Sequence, residues 1–304
     1  MKFSVFQLSR IGGRENNEDR MGYCCTPAAG LFFVMDGMGG HPQGEVAADL
    51  ALKAIAEMFQ EKAQQEIPDV AVFLAAAVMA AHGTILRYAT ERNMPDSPRT
   101  TIVAAVVQAG AVTWIHCGDS RLYVVRQGEL LLRTRDHTFA EQRGATAPGF
   151  TKSKRINRNL LFTCLGSPEK PVFEISGPLT LRQGDRLMLC SDGLWASLND
   201  ADITSYLSQK PVSQAVPDLV ESALRKAGDS SDNVTVIALE WETPDDFETT
   251  PGGIPTETMS DSAFTATVFG DQSALEPEHL DDTAIERAIA EINETIRRTA
   301  AKKA

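Results

Sequence analysis

The 304-residue sequence predicts an α+β layered sandwich, and three observations carry that reading. Ten short β-rich runs, most of them four to eight residues long, follow one another in meander order. The helical patterns are few and segregated rather than interleaved with the strands. Neither a GxxxxGK loop nor a GxGxxG turn follows any strand, so the doubly wound nucleotide-binding sheets are disfavoured.

In chain order, strands are expected at 21–26, 31–35, 101–107, 112–117, 121–126, 129–134, 160–164, 172–175, 186–190 and 234–240. Each is a short apolar or β-branched run. Helices are expected at 44–64, where Val46, Leu50, Ala54, Ile55 and Met58 share one side, at 69–92, and at 212–226.

Apolar residues make up 43% of the chain, enough to bury a sizeable core. No apolar stretch reaches the roughly 20 residues a bilayer span requires, so no transmembrane helix is expected. The N-terminus lacks the long apolar segment and small-residue cleavage site of a signal peptide, which makes the cytoplasm the expected location. Five scattered cysteines form no C-x-x-C pair, a pattern of reduced thiols that rules out a zinc ribbon.

The net charge of −12 is unevenly placed. Residues 242–280 hold nine acidic side chains, no Lys or Arg, four prolines and a Gly252-Gly253 pair, and read as a disordered acidic linker. Beyond it, Thr283 to Glu286 has capping-box form, and Ile285, Ile289, Ile292 and Ile296 recur at helical spacing, which predicts an amphipathic helix over 281–304. The chain thus divides into a folded domain at 1–241, the linker and the helix. The folded part is nearly neutral and offers no basic surface for nucleic acid.

The acids carry the chemistry. Three apolar strands run straight into a carboxylate beside a turn residue: Met35-Asp36-Gly37, Cys117-Gly118-Asp119 and Ser191-Asp192-Gly193. A fourth acid, Asp232, precedes the strand at 234–240. One Asp-Gly after a strand is an ordinary turn signal. Four acids gathered at one sheet mouth would repel one another unless a cation neutralised them, and oxygen donors alone select a hard ion, Mg²⁺ or Mn²⁺. The loop Arg14-Glu-Asn-Asn-Glu18-Asp19 adds two acids and an arginine suited to gripping a phosphate.

With R-x-x-x-E-D at Arg14, DGMGGHPQGE at Asp36, GDSRLY at Asp119, CSDGLW at Asp192 and SSDNVTV at Asp232, residues 1–241 resemble the bacterial PP2C-type, or PPM, metal-dependent serine/threonine phosphatases. Thr100-Thr101 and Asp136-His137 stand where that family has further motifs. The resemblance implies a β-sandwich flanked by helices on both faces, in αββα layers. It implies hydrolysis of phosphoserine and phosphothreonine by a metal-activated water at a centre of two or three Mn²⁺ or Mg²⁺ ions. Asp36 would bridge two ions, the Gly37 carbonyl would bind one, and Asp192 and Asp232 would hold the other. Glu18 and Asp19 would act through water, Asp119 would contribute with Asp192 to a third site, and Arg14 would hold the phosphate. Phosphorylated proteins are the implied partners, with a cognate Ser/Thr kinase opposed in signalling, and a monomeric catalytic domain apart from nucleic acid and membrane.

One departure concerns the proton donor. Eukaryotic relatives carry a histidine two residues after the bridging aspartate, where this chain has Met38. His41, three residues further on, is the candidate general acid, with a metal-bound water as the alternative and loop anchoring as its structural reading. His137 is expected to anchor its loop, and His82, His116 and His279 have no catalytic context. Residues 139–158, rich in Arg and Lys, stand where the family has a variable flap. Two other readings remain open on sequence alone: a catalytically weak, phosphoprotein-binding or regulatory module, and a phosphatase of a small phosphorylated metabolite.

Overall fold

Leu31, Phe33 and Met35 alternate along one strand with Phe32 and Val34, and all five side chains are buried. A strand buried on both faces needs a layer on each side. The computed structural model supplies them; it describes residues 1–63, 66–142 and 160–244, with the backbone of a strand at Thr265–Phe269. Contacts divide the chain into two units, Met1–Gly270 and Asp271–Ala304, and the described residues lie in the first. The helix expected at 281–304 and the flap core at 143–159 lie outside the described residues.

The elements are β1 (Phe3–Arg10), β2 (Arg20–Cys25), β3 (Ala29–Met35), α1 (Gly44–Lys62), α2 (Val70–Glu91), β4 (Ile102–Gln108), β5 (Ala111–Cys117), β6 (Arg121–Arg126), β7 (Glu129–Arg133), α3 (Phe139–Gln142), β8 (Glu174–Thr180), β9 (Arg186–Cys190), α4 (Asp192–Trp195), α5 (Asp200–Gln209), α6 (Val212–Ala227), β10 (Val234–Trp241) and β11 (Thr265–Phe269). They build a five-stranded sheet, β1-β10-β9-β6-β7, and a six-stranded sheet, β11-β2-β3-β4-β5-β8, with antiparallel neighbours throughout.

Three apolar layers hold the fold. Phe32, Val34, Val103, Leu122, Leu187 and Ile237 fill the space between the sheets. Leu31, Phe33 and Ile102 pack outward against Leu52, Ile55 and Phe59 of α1 and Leu74, Val78 and Ile85 of α2. Tyr123, Met188 and Val236 pack outward against Val216, Leu219 and Val220 of α6 and Ile203 of α5. By length and composition α2 is apolar enough to cross a membrane, but its Phe73, Leu74, Ala77, Val78, Ala81 and Ile85 belong to that core. The observed architecture is the helix-flanked sandwich expected.

Five expectations need correction. Residues 160–164 form no strand, only the isolated bridge of Leu161 with Thr138, and the strand expected at 172–175 begins at Glu174 and runs to Thr180. The N-terminal segment, whose residues are half-buried and mixed in polarity and so show no strand pattern, forms β1 and pairs with β10 along its whole length. Helix α5 was also unforeseen; it is short, capped by the Asn199 side chain on the Asp202 N–H, and buries Ile203 and Leu207. Within the supposed linker, Thr265–Phe269 adds β11 to β2, placing a β-rich, uncharged stretch on an otherwise unpaired sheet edge.

Register then gathers the loops. Met35 at the end of β3 pairs with Arg20 at the start of β2, and Ile102 with Cys117, so β2, β3, β4 and β5 bring Asp19, Asp36, Thr101 and Gly118 to one edge. In the other sheet Arg10 pairs with Val234 and Cys190 with both Val236 and Arg121, which brings Ser191 and Asp232 to a common edge. Loop 11–19 and turn 118–120 cross between the two sheets there.

Candidate active site

The turn after β3 is bound from below by threonines. The Thr100 hydroxyl donates to the Asp36 carbonyl at 2.9 Å, the Thr101 N–H donates to the same carbonyl at 2.8 Å, and the Asp36 N–H donates to the Thr101 hydroxyl at 3.2 Å. Gly37 has room for no side chain: a Cβ there would lie 2.6 Å from the Gly44 carbonyl and 2.7 Å from that of Glu18. Its N–H donates to the Glu18 carbonyl at 3.2 Å, joining the Asp36 loop to the N-terminal acidic loop.

Asn233 fixes that N-terminal loop. Its amide donates to the carbonyls of Ile11 and Asn16 at 2.8 and 3.0 Å, and its carbonyl oxygen accepts from the Glu18 N–H at 2.8 Å. Ser191 ties Asp19 in place, donating to its carboxylate at 2.7 Å while accepting from the Thr235 N–H at 3.0 Å. The indole N–H of Trp195 donates to the Asp119 carbonyl at 2.9 Å, and the Arg121 guanidinium lies 3.7 Å from the centre of the Trp195 ring while holding Asp136 at 2.7 Å. These holding residues sit beside the acids in the same sequence motifs, but nothing in the sequence told which backbone groups they would reach.

Asp19 and Asp119 are buried, and Asp36, Asp192 and Asp232 half-buried. Burial, and then the neighbouring acids, push the Asp192 carboxyl up to about 6 and that of Asp119 to about 8. Burial raises Asp19 to about 7 against the pull of its Ser191 hydrogen bond. Asp36 is raised well above the carboxylate range by burial and by Asp19, Asp192, Asp119 and Asp232 around it. Glu18 is raised too, by burial and by Glu45, and its Oε2 is buried with no hydrogen-bond partner among the described residues. A set of oxygen donors this desolvated and mutually repelling fits hard divalent cations, which would relieve the repulsion.

Arg14 is half-exposed and pairs with Asp232 at 2.6 Å. The Nδ1 of His41 lies 2.8 Å from Asp96, which also receives Arg99 and is held below the usual carboxylate range chiefly by His41. Cys190 is fully buried in β9, and burial holds its thiol above the usual range, so it is core.

The family model described as Protein phosphatase 2C matches residues 7–228. The chain belongs to the protein phosphatase 2C family. Among curated PP2C-type relatives, the serine/threonine protein phosphatase PstP of Mycobacterium tuberculosis is 33% identical over 244 residues, covering 78% of this chain and 45% of PstP. The serine/threonine phosphatase stp of Listeria innocua is 27% identical over 240 residues, 77% of this chain and 94% of that protein. This chain therefore spans less than half the length of PstP. The catalytic domain of PstP solved in complex with two manganese ions superposes with a TM-score of 0.65 at 30% identity, over 79% of this chain and 99% of that one.

Proposed function

We propose that this PP2C-family chain hydrolyses phosphoserine and phosphothreonine in proteins, using Mn²⁺ or Mg²⁺. The convergence of Asp19, Asp36, Asp119 and Asp192, all with raised proton affinity, at one end of the sandwich is the observation that carries this reading. In it, Asp36, the Gly37 carbonyl, Asp192 and Asp232 would hold two ions, Glu18 and Asp19 would act through water, and Asp119 would contribute to a third, weaker site.

Divalent ions, when bound, supply an acidified water as nucleophile and neutralise the phosphate charge. The protein's own part is positional. A guanidinium has five N–H donors, so Arg14 can keep its bond to Asp232 and still offer others to the phosphate oxygens. With Nδ1 of His41 turned to Asp96, its Nε2 is the nitrogen that would serve a leaving oxygen. His41→Ala should therefore slow an alkyl phosphate more than nitrophenyl phosphate, whose leaving oxygen needs no proton. Equal slowing of both would assign His41 to loop anchoring.

A cytoplasmic, monomeric enzyme that opposes a Ser/Thr kinase in signalling is the setting we propose. Assay of a phosphothreonine peptide, an aryl phosphate and small phosphorylated metabolites with Mn²⁺, Mg²⁺ or chelator tests the reading. Metal-dependent turnover of the peptide supports it. Full activity in chelator would refute the metal mechanism, turnover of metabolites alone would refute the protein substrate, and no turnover with either ion would make the chain a binding module.

A further inference from the structure

A second group of ligating side chains lies on the six-stranded sheet and shares no residue with the carboxylate centre. His116 of β5 stands directly opposite Glu174 of β8 in the strand register. His137 approaches from the loop after β7, its ring 4.5 Å from that of His116 and tilted by 31°. One donor atom from each of the three residues lies within 4.8 Å of the others.

The hydrogen bonds leave one nitrogen unexplained. His116 is 2% exposed, and its Nε2 lies 2.8 Å from the Arg135 carbonyl. A carbonyl only accepts, so Nε2 carries the proton and Nδ1 carries a lone pair. That Nδ1 is buried and has no partner among the described residues. A histidine whose far nitrogen donates to a backbone carbonyl is oriented as metal-ligating histidines are. Burial lowers the proton affinity of both imidazoles, His137 to about 4, so protons do not compete for the lone pairs at neutral pH. Glu174 is exposed and supplies both the negative charge and a path to solvent.

We propose that His116, His137 and Glu174 form a binding site for Zn²⁺, completed by water. Two imidazoles and one carboxylate suit that borderline ion, whereas the all-oxygen centre suits Mg²⁺ and Mn²⁺. His137 also holds Gly118, giving its N–H to the Gly118 carbonyl at 2.9 Å and accepting the Gly118 N–H on Nδ1 at 3.3 Å. Coordination through His137 would exchange the longer bond for the ion, and would be felt at Asp119, the next residue.

The test is Zn²⁺ titration of the full chain in saturating Mn²⁺, followed by calorimetry and by metal analysis after gel filtration. One equivalent is expected, with at least tenfold weaker binding in Glu174→Gln, which alters an exposed side chain on an outer strand. His137→Asn should abolish binding, and Asp36→Asn should retain it. Co²⁺ should give the visible spectrum of a tetrahedral nitrogen and oxygen site in the parent and not in Glu174→Gln. The proposal is overturned if Zn²⁺ binding is absent, if Glu174→Gln binds as the parent does, or if Asp36→Asn removes it.

Discussion

The Ser191 hydroxyl donates to the Asp19 carboxylate at 2.7 Å across 172 residues of sequence, and so joins the end of β9 to the start of β2. The same oxygen accepts the Thr235 N–H, which makes one buried hydroxyl the joint between the two sheets beneath the acids. Ser191→Ala would leave a buried N–H and a buried carboxylate each short of a partner. A loss of about 1–3 kcal/mol is expected. At roughly 2–4 °C per kcal/mol for a domain of this size, Tm should fall by several degrees in thermal denaturation. An unchanged Tm would remove Ser191 from that role.

The acidic cluster sets a pH dependence for the metal-free protein. Asp192, Asp19 and Asp119 keep their protons up to about 6, 7 and 8 in the folded state, against about 3.9 in an unfolded chain. The folded state then binds more protons than the unfolded one between these limits, so stability is fullest at low pH and is lost as pH rises from about 4 to 8. In chelator, Tm should fall over that window, and Asp119→Asn should flatten the fall. Mn²⁺ should raise Tm most at the alkaline end. A chelated protein whose Tm rises over the same window would contradict the cluster as described.

Asp36→Asn and Asp192→Asn should abolish turnover while leaving the metal-free fold as stable or more so, since each removes one repelling charge. Asp119→Asn should reduce turnover less. The comparison needs only aryl phosphate kinetics and thermal denaturation of the same samples.

Arg14→Ala removes the proposed phosphate contact without removing an oxygen donor. It should raise KM for a small aryl phosphate at least as much as it lowers kcat. Because Arg14 also neutralises Asp232 at 2.6 Å, the variant should bind Mn²⁺ no more weakly than the parent. An unchanged KM would separate the arginine from the phosphate.

Truncation after Gly270 and truncation after Trp241 should behave differently. The first keeps β11 on β2 and the second exposes the β2 edge, a template for pairing with another chain. Both should retain aryl phosphatase activity. Light scattering should show concentration-dependent association for the shorter chain alone; equal behaviour would mean that β11 does not protect the edge.

What the sequence determined by itself was local. Apolar periodicity located eight of the eleven strands to within a few residues, the three long helices, and the five acidic motifs that carry the family resemblance. It misplaced β8, gave 160–164 a strand it does not form, and passed over β1, α5 and β11. β1 and β11 are stabilised by the partner strand and sheet edge they cover, which a window of neighbouring residues does not contain. Register across two sheets decided the rest. It brought Asp19 beside Ser191, held the N-terminal loop on Asn233, turned His41 to Asp96, and set His116 opposite Glu174 with His137 against it. Hydrogen bonds and charge act over a few ångströms of space, and folding brings together residues that lie far apart along the chain.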